Sequence, residues 1–212
     1  MTPASHVWLH ANSCRARGLS LPDVKVQSGE ALVLQGPSGC GKTTLLLVLA
    51  GLLEVQAGEV ARDPASHHRL AFVAQQGGLV HALDAMGNLM LAQHLAKLPV
   101  DVRAAQQALD RLGVAACAKL KPGQCSRGQQ QRIAVARALV QEPQVLLLDE
   151  PTANLDDLSA RQLLEVLGSW CSSQPRAIVI TTHDPRVLTH LQTHASTVRA
   201  LTMAQGARQG VL

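Results

Sequence analysis

GPSGCGKTT, Gly36 to Thr44, decides how the rest of the chain is read. It satisfies G-x-x-x-x-G-K-[ST] in full. In front of it stands the apolar run Ala31 to Leu34, and behind it the Leu-rich, helix-length segment Thr43 to Leu53. Strand, glycine loop and helix in that order are the context the motif needs. The glycines let backbone N–H groups curl around phosphate oxygens, and the helix N-terminus adds partial positive charge. Lys42 reaches the β- and γ-phosphates, and Thr43 offers its hydroxyl to Mg²⁺. The bland reading, a Gly-rich turn with a surface Lys, leaves the flanking strand and helix unexplained.

A second motif lies downstream. VLLLDE, Val145 to Glu150, is four apolar residues and then two carboxylates. A buried strand delivers Asp149 at its C-terminal end, where open α/β sheets place their ligands. Asp149 suits Mg²⁺, and Glu150 is placed to polarise a water for attack on the γ-phosphate.

The rest of the chain supports an α/β scaffold. Val145 to Leu148 and Ala177 to Ile180 are unbroken apolar runs of buried parallel-strand type, and Leu70 to Val73 suggests another strand. Val7 to Ala11 and Pro22 to Val26 read as antiparallel strands at an edge, because Pro22 has no N–H to donate. Thr197 to Met203 reads as a last strand. Between Leu79 and Val140 the character turns helical, over 85–97, 101–112 and 129–140, with Pro99 and Pro122-Gly123 as breaks. Asp101 is a cap for the second of these. The expected fold is a P-loop NTPase core with a mostly parallel sheet, an N-terminal antiparallel β part and a helical insert. One domain over 1–212 is expected, its core at 1–78 and 141–212 and its helical subdomain at about 79–140.

Composition narrows the function. Of 212 residues 47% are apolar, enough for a core, yet the aromatics are only Trp8, Phe72 and Trp170. The lack of stacking platforms argues against a nucleic-acid partner, and the net charge of +4 has no Lys/Arg run to focus it. Five widely spaced Cys with no CxxC fit reduced cytoplasmic thiols. MTPASHVWLHANS lacks a basic region leading into an apolar core, so no signal peptide is expected. No apolar run is long enough to span a bilayer.

CSRGQQQR, Cys125 to Arg132, reads first as a helix start, with Ser126-x-x-Gln129 as a capping box. Gln75 and His183 stand at strand ends, and Asp184-Pro185 opens a helix with a cap and a Pro at N1. Taken together, these residues resemble the ATP-binding subunit of an ABC transporter, from about residue 7 to residue 200. GPSGCGKTT looks like its Walker A motif and VLLLDE like its Walker B. Gln75 matches its Q-loop glutamine, ANLD (Ala153 to Asp156) its D-loop, and His183 its switch histidine. CSRGQQQR falls where the family carries Leu-Ser-Gly-Gly-Gln.

The resemblance implies an ATP-hydrolysing, head-to-tail homodimer on a membrane permease. Gly36, Pro37, Ser38, Gly39, Cys40, Gly41, Lys42, Thr43 and Thr44 cradle the phosphates. Thr43, Gln75 and Asp149 serve Mg²⁺, while Glu150, His183, Gln75 and Lys42 act on the γ-phosphate. Ser126, Gly128, Gln129 and Asp156 close over the ATP of the opposite subunit. The subunit sits in the cytoplasm, peripheral on the cytoplasmic face of the inner membrane, and meets that membrane only through the permease.

This chain also departs from the pattern. Cys125 replaces Leu, and Arg127 replaces a Gly, which costs little only where φ is negative. The aromatic that stacks on adenine, expected near residues 13 to 16, is missing; Arg15 is the substitute at hand. Two alternatives stay in view: a DNA-associated mechanical ATPase, though no long heptad arms occur, and a non-hydrolysing regulator, though Lys42, Asp149, Glu150 and His183 are intact.

Overall fold

The computed structural model describes residues 7–62, 70–173, 175–194 and 197–204. The stretch weighed as a leader falls partly outside these residues.

Two sheets form the core. The larger has five parallel strands: β4 (Glu30–Gln35), β6 (Leu70–Val73), β7 (Val145–Asp149), β8 (Ala177–Thr181) and β9 (Thr197–Thr202). Their order is β6-β7-β8-β4-β9. Every residue of β7 and β8 is buried, as the unbroken apolar runs require. Alternate residues of these strands supply different cores. Leu32, Leu34, Leu147 and Val179 join a core with Leu45 and Leu49 of helix α1 (Lys42–Ala50). Val33, Leu146, Leu148 and Ile178 join a second core on the opposite face, the period-2 consequence of the pleat.

The smaller sheet is antiparallel: β1 (Val7–Ala16), β2 (Leu19–Ser20), β3 (Val24–Gln27) and β5 (Ala57–Arg62). Here the edge expectation fails for β1. β3 and β5 both pair with Leu9 to Ala11, one on each side, so β1 is internal. β5 was invisible because AGEVAR has no buried residue and so no pattern. β3 begins at Val24, past Pro22, so that Pro removes no ladder bond.

The helical part is α2 (Ala85–Leu95), α3 (Val102–Arg111) and α4 (Arg127–Leu139), packed on one another, with α4 also against β6. Asp101 caps α3, accepting from Ala104 N at 3.0 Å, as expected. The first helix stops at Ala50 rather than Leu53, because Gly51 takes a left-handed C-cap at φ 72°. Helix α5 (Asp157–Ser172) precedes β8, and α6 (Pro185–His194) follows it. The Asp184 carboxylate accepts from Arg186 N at 2.9 Å, so Asp184 caps α6 with Pro185 at N1.

Candidate nucleotide site

The strand order β7-β8-β4 determines the site. It sets the C-terminal ends of three neighbouring strands side by side: Asp149, Thr181 and the loop after Gln35.

The loop is built on glycine geometry at Gly36. Its φ is 149°, and a Cβ there would meet Met203 O at 2.4 Å. Lys42, only 7% exposed, folds back over the loop. Its Nζ donates to Gly36 O at 2.8 Å and to Pro37 O at 3.1 Å. Thr43 Oγ1 lies 2.9 and 3.1 Å from the two Asp149 carboxylate oxygens. Thr181 Oγ1 donates to Asp149 Oδ1 at 2.6 Å and receives Glu150 N at 3.1 Å. Thr181 thus orients both carboxylate residues. Thr181 has no mark in the sequence, since a hydroxyl ending a buried strand carries no signal of its own.

Glu150 adopts a left-handed backbone, φ 49°, which turns it out of the strand. Its Oε2 accepts from His183 N at 3.2 Å, and its Oε1 is 3.4 Å from His183 Nε2. A cavity of about 480 Å³ lies between these groups, lined by Ser38, Gly39, Gly41, Lys42, Thr43, Thr44, Gln75, Glu150 and His183, with Leu19 and Ala153. The structure therefore gathers Lys42, Thr43, Gln75, Glu150 and His183 in one place. Cys40 does not line the cavity; it is 2% exposed and packs into the core beneath.

The other predicted residues sit elsewhere. Ser126 and Gln129 form the capping box of α4: Ser126 N donates to Gln129 Oε1 at 2.8 Å and Gln129 N to Ser126 Oγ at 3.2 Å. Arg127 takes the first helical position with no positive φ, so replacing Gly costs no backbone strain. Gly128 has no room for a side chain, since a Cβ would lie 2.9 Å from Asn154 O. Asp156 caps α5, taking Ser159 N at 2.8 Å and Ser159 Oγ at 3.0 Å. Those two bonds, the backbone one first, hold its carboxyl below the usual Asp range. None of Ser126, Gly128, Gln129 or Asp156 lines this cavity.

The segment 13–16, where a base-stacking aromatic is expected, carries none. Ser13 sits at φ 51°, where the β1–β5 register shifts. Trp8, in β1, is 3% exposed in the core, Phe72 lies in β6, and Trp170 is 7% exposed with Arg176 stacked 4.9 Å from its ring centre.

A five-stranded parallel sheet whose strand ends hold a glycine loop, its Lys and Thr, and an Asp-Glu pair defines a P-loop nucleotide-binding cassette. Residues 19–153 match the family model described as ABC transporter. The chain belongs to the ABC transporter family, among its ATP-binding subunits. It is 37% identical to an uncharacterized ABC transporter ATP-binding protein of Mycobacterium tuberculosis (strain ATCC 25618 / H37Rv), over 81% of this chain and 55% of that one. It thus spans about half the length of that relative. It is 34% identical to the lipoprotein-releasing system ATP-binding protein LolD of Chromohalobacter salexigens, over 79% of this chain and 77% of LolD. Its fold is similar to that of the ATP-binding cassette MJ0796 in a dimeric post-hydrolysis state bound to ADP and Pi. That likeness has a TM-score of 0.80 at 23% identity, covering 96% of this chain and all of that one.

Proposed function

We propose that this chain hydrolyses ATP in a head-to-tail homodimer and thereby drives transport through a membrane permease. A single observation carries the reading: Lys42, Thr43, Glu150 and His183 converge on one cavity, with Asp149 hydrogen-bonded to Thr43 at its edge. We assign one ATP-binding domain to residues 1–212, with its core at 1–78 and 141–212 and a helical subdomain at about 79–140.

The roles follow from position. Backbone N–H groups of Gly36 to Thr44 hold phosphate oxygens at the N-terminus of α1. Lys42 exchanges its carbonyl partners for the β- and γ-phosphates. Glu150 orients the attacking water and takes its proton, the water oxygen bonds to the γ-phosphorus as that phosphorus parts from the β-phosphate oxygen of ADP, and inorganic phosphate leaves. His183 and Gln75 contact the γ-phosphate. Ser126, Gly128, Gln129 and Asp156 face the partner's ATP. The Thr43 hydroxyl, the Asp149 carboxylate and the Gln75 amide are oxygen donors, the ligand type Mg²⁺ prefers, and Thr43 and Asp149 already stand in hydrogen-bond contact. When bound, Mg²⁺ neutralises phosphate charge.

No helix among the described residues is long and apolar enough to cross a membrane. Our assignment to the cytoplasmic face of the inner membrane therefore rests on a permease partner.

Glu150→Gln tests the reading. The variant keeps the shape and loses the charge that orients water. On gel filtration with ATP it should run as a dimer, with hydrolysis nearly abolished. A monomer with undiminished hydrolysis would sink both the role of Glu150 and the dimer.

A further inference from the structure

The loop from Gln75 to Asp84 leaves β6 beside the phosphate cavity and ends at the cap of α2. Two consecutive left-handed glycines, Gly77 at φ 73° and Gly78 at φ 59°, wind its first part into tight turns. Gly77 N donates to Ala74 O and Gly78 N to Gln76 O, both at 2.9 Å. Both glycine carbonyls are taken by one side chain. Arg137 Nη1 donates to Gly78 O at 2.6 Å, and Nη2 to Gly77 O at 3.0 Å. Ala134, one turn back on the same helix, stands 3.3 Å from where a Cβ on Gly77 would lie. The loop is therefore pressed on α4 as well as bonded to it. Farther along, Asn88 holds the other end: its Oδ1 accepts from Val80 N at 2.8 Å, and its Nδ2 donates to Asp84 O at 2.9 Å.

Arg137 is an expensive way to fasten a loop. Burial lowers its pKa, and among the described residues it has no carboxylate partner. Burying a cation on neutral carbonyls carries a desolvation cost that an apolar contact avoids. What the guanidinium supplies in return is a planar fork that fixes two acceptors at once. Such a fork sets the loop's position against the helix in every direction. α4 then runs about 15 Å, at 1.5 Å per residue, from Arg137 back to its N-terminus. That N-terminus is Ser126 to Gln129. At the loop's other face, Gln75 lines the phosphate cavity, and it also lines a second polar cavity with Arg127 and Gln130.

We infer that Arg137 is a positioning residue: its bonds to Gly77 and Gly78 make the loop and α4 one body, so that nucleotide at Gln75 sets where Ser126 to Gln129 stand. This rests on the reading of Gln75 as a γ-phosphate contact. It adds a link inside one subunit, upstream of any contact between two.

Hydrogen exchange on the full chain, kept dilute enough to stay monomeric, tests the link, with ATP affinity measured separately by a fluorescent ATP analogue. In the native chain Mg²⁺ and ATP should slow exchange in 75–80 and also in 126–130. Arg137→Lys keeps the charge and stem but offers a single point donor. Arg137→Gln, a second variant, removes the charge. Both should bind ATP within about threefold of native and keep the slowing at 75–80, but lose most of it at 126–130. Full slowing at 126–130 in either variant overturns the inference. So does a native chain that binds ATP and responds only at 75–80. A native chain that binds no ATP overturns the cavity assignment, and this inference with it. A failure of Glu150→Gln to dimerise would remove the homodimer alone and leave the monomer result standing.

Discussion

Lys42 Nζ lies 3.1 Å from His183 Nε2, so the phosphate loop and the end of β8 are joined directly. An ammonium only donates. Two of its protons serve Gly36 O and Pro37 O, and the third serves His183. His183 Nε2 is therefore the acceptor, and its ring proton sits on Nδ1. Glu150 Oε1, 3.4 Å from the same nitrogen, then has no proton to accept there, and Glu150 is held instead through its Oε2 on His183 N.

Lys42→Met should therefore act twice. Without nucleotide it leaves two loop carbonyls and His183 without a donor, a loss of about 1–3 kcal/mol. With nucleotide it removes the main cation of the cavity. Native protein at a hundredfold excess of ATP over Kd should gain about 2.7 kcal/mol. Thermal unfolding with and without Mg²⁺ and ATP checks both effects. A variant with the native ATP shift would contradict the phosphate role of Lys42.

Gly128→Ala should loosen the start of α4. The new methyl would lie 2.9 Å from Asn154 O and 3.0 Å from Leu155 Cδ2, and the first contact is backbone. Such overpacking costs about 1–3 kcal/mol. Urea unfolding should show a lower midpoint at an unchanged slope. A native midpoint would mean that the 153–156 segment yields freely.

How far the sequence showed this follows from which signals were local. The buried strands β4, β7 and β8 were legible as apolar runs, and the glycine loop as a motif in its context. The caps at Asp101, Ser126 and Asp184 were legible because capping is written in adjacent residues. β5 was not, since an exposed strand has no hydrophobic period. Neither were Thr181 and Arg137. Their partners, Asp149 and Gly77-Gly78, are 32 and about 60 residues away, and only the strand order and helix packing bring them together.

ATP and GTP should compete within about threefold of each other, less than about 0.7 kcal/mol. All three aromatics of the chain are engaged elsewhere, Trp8 in the core and Trp170 under Arg176, and none lines the phosphate cavity. Binding then rests on phosphates and metal, which the two nucleotides share. Equilibrium competition against a fluorescent analogue decides. A preference above about tenfold for ATP would require a hydrogen-bonding contact, such as one from Arg15, that reads the purine edge.

Cys125 should resist alkylation in the folded protein. Burial, reinforced by the neighbouring Cys117 thiol, pushes its pKa up to about 11. An unfolded Cys titrates near about 8.5. The protonated thiol thus favours the folded state fully below that unfolded value, and the contribution is lost as pH rises through about 11. At pH 9 the native thiol should react with iodoacetamide at least about thirtyfold more slowly than in denaturant, read by mass spectrometry of its peptide. Equal rates would show that the folded protein neither buries this thiol nor raises its pKa.

Arg127→Gly separates two roles for the residue that replaces the family's glycine. Arg127 lines a cavity with Gln75, Gln76, His81, Gln130, Gln131 and Asn154 of its own chain, so its side chain has a place away from the start of the helix. Ser126 and Gly128 flank it there without needing its charge. On this geometry the backbone of Arg127 serves as Gly would, and hydrolysis by Arg127→Gly should stay within about tenfold of native, below about 1.4 kcal/mol in the barrier. The exposed substitution should also lower helix stability by up to about 1 kcal/mol, since Gly at a helical position loses backbone entropy. The rival role is an arginine finger aimed at the partner's γ-phosphate, whose loss costs about 10³-fold or more in kcat. Steady-state hydrolysis and single-subunit ATP affinity, measured together, tell them apart. A collapse of kcat with affinity unchanged would mean that Arg127 leaves its cavity and reaches across the dimer.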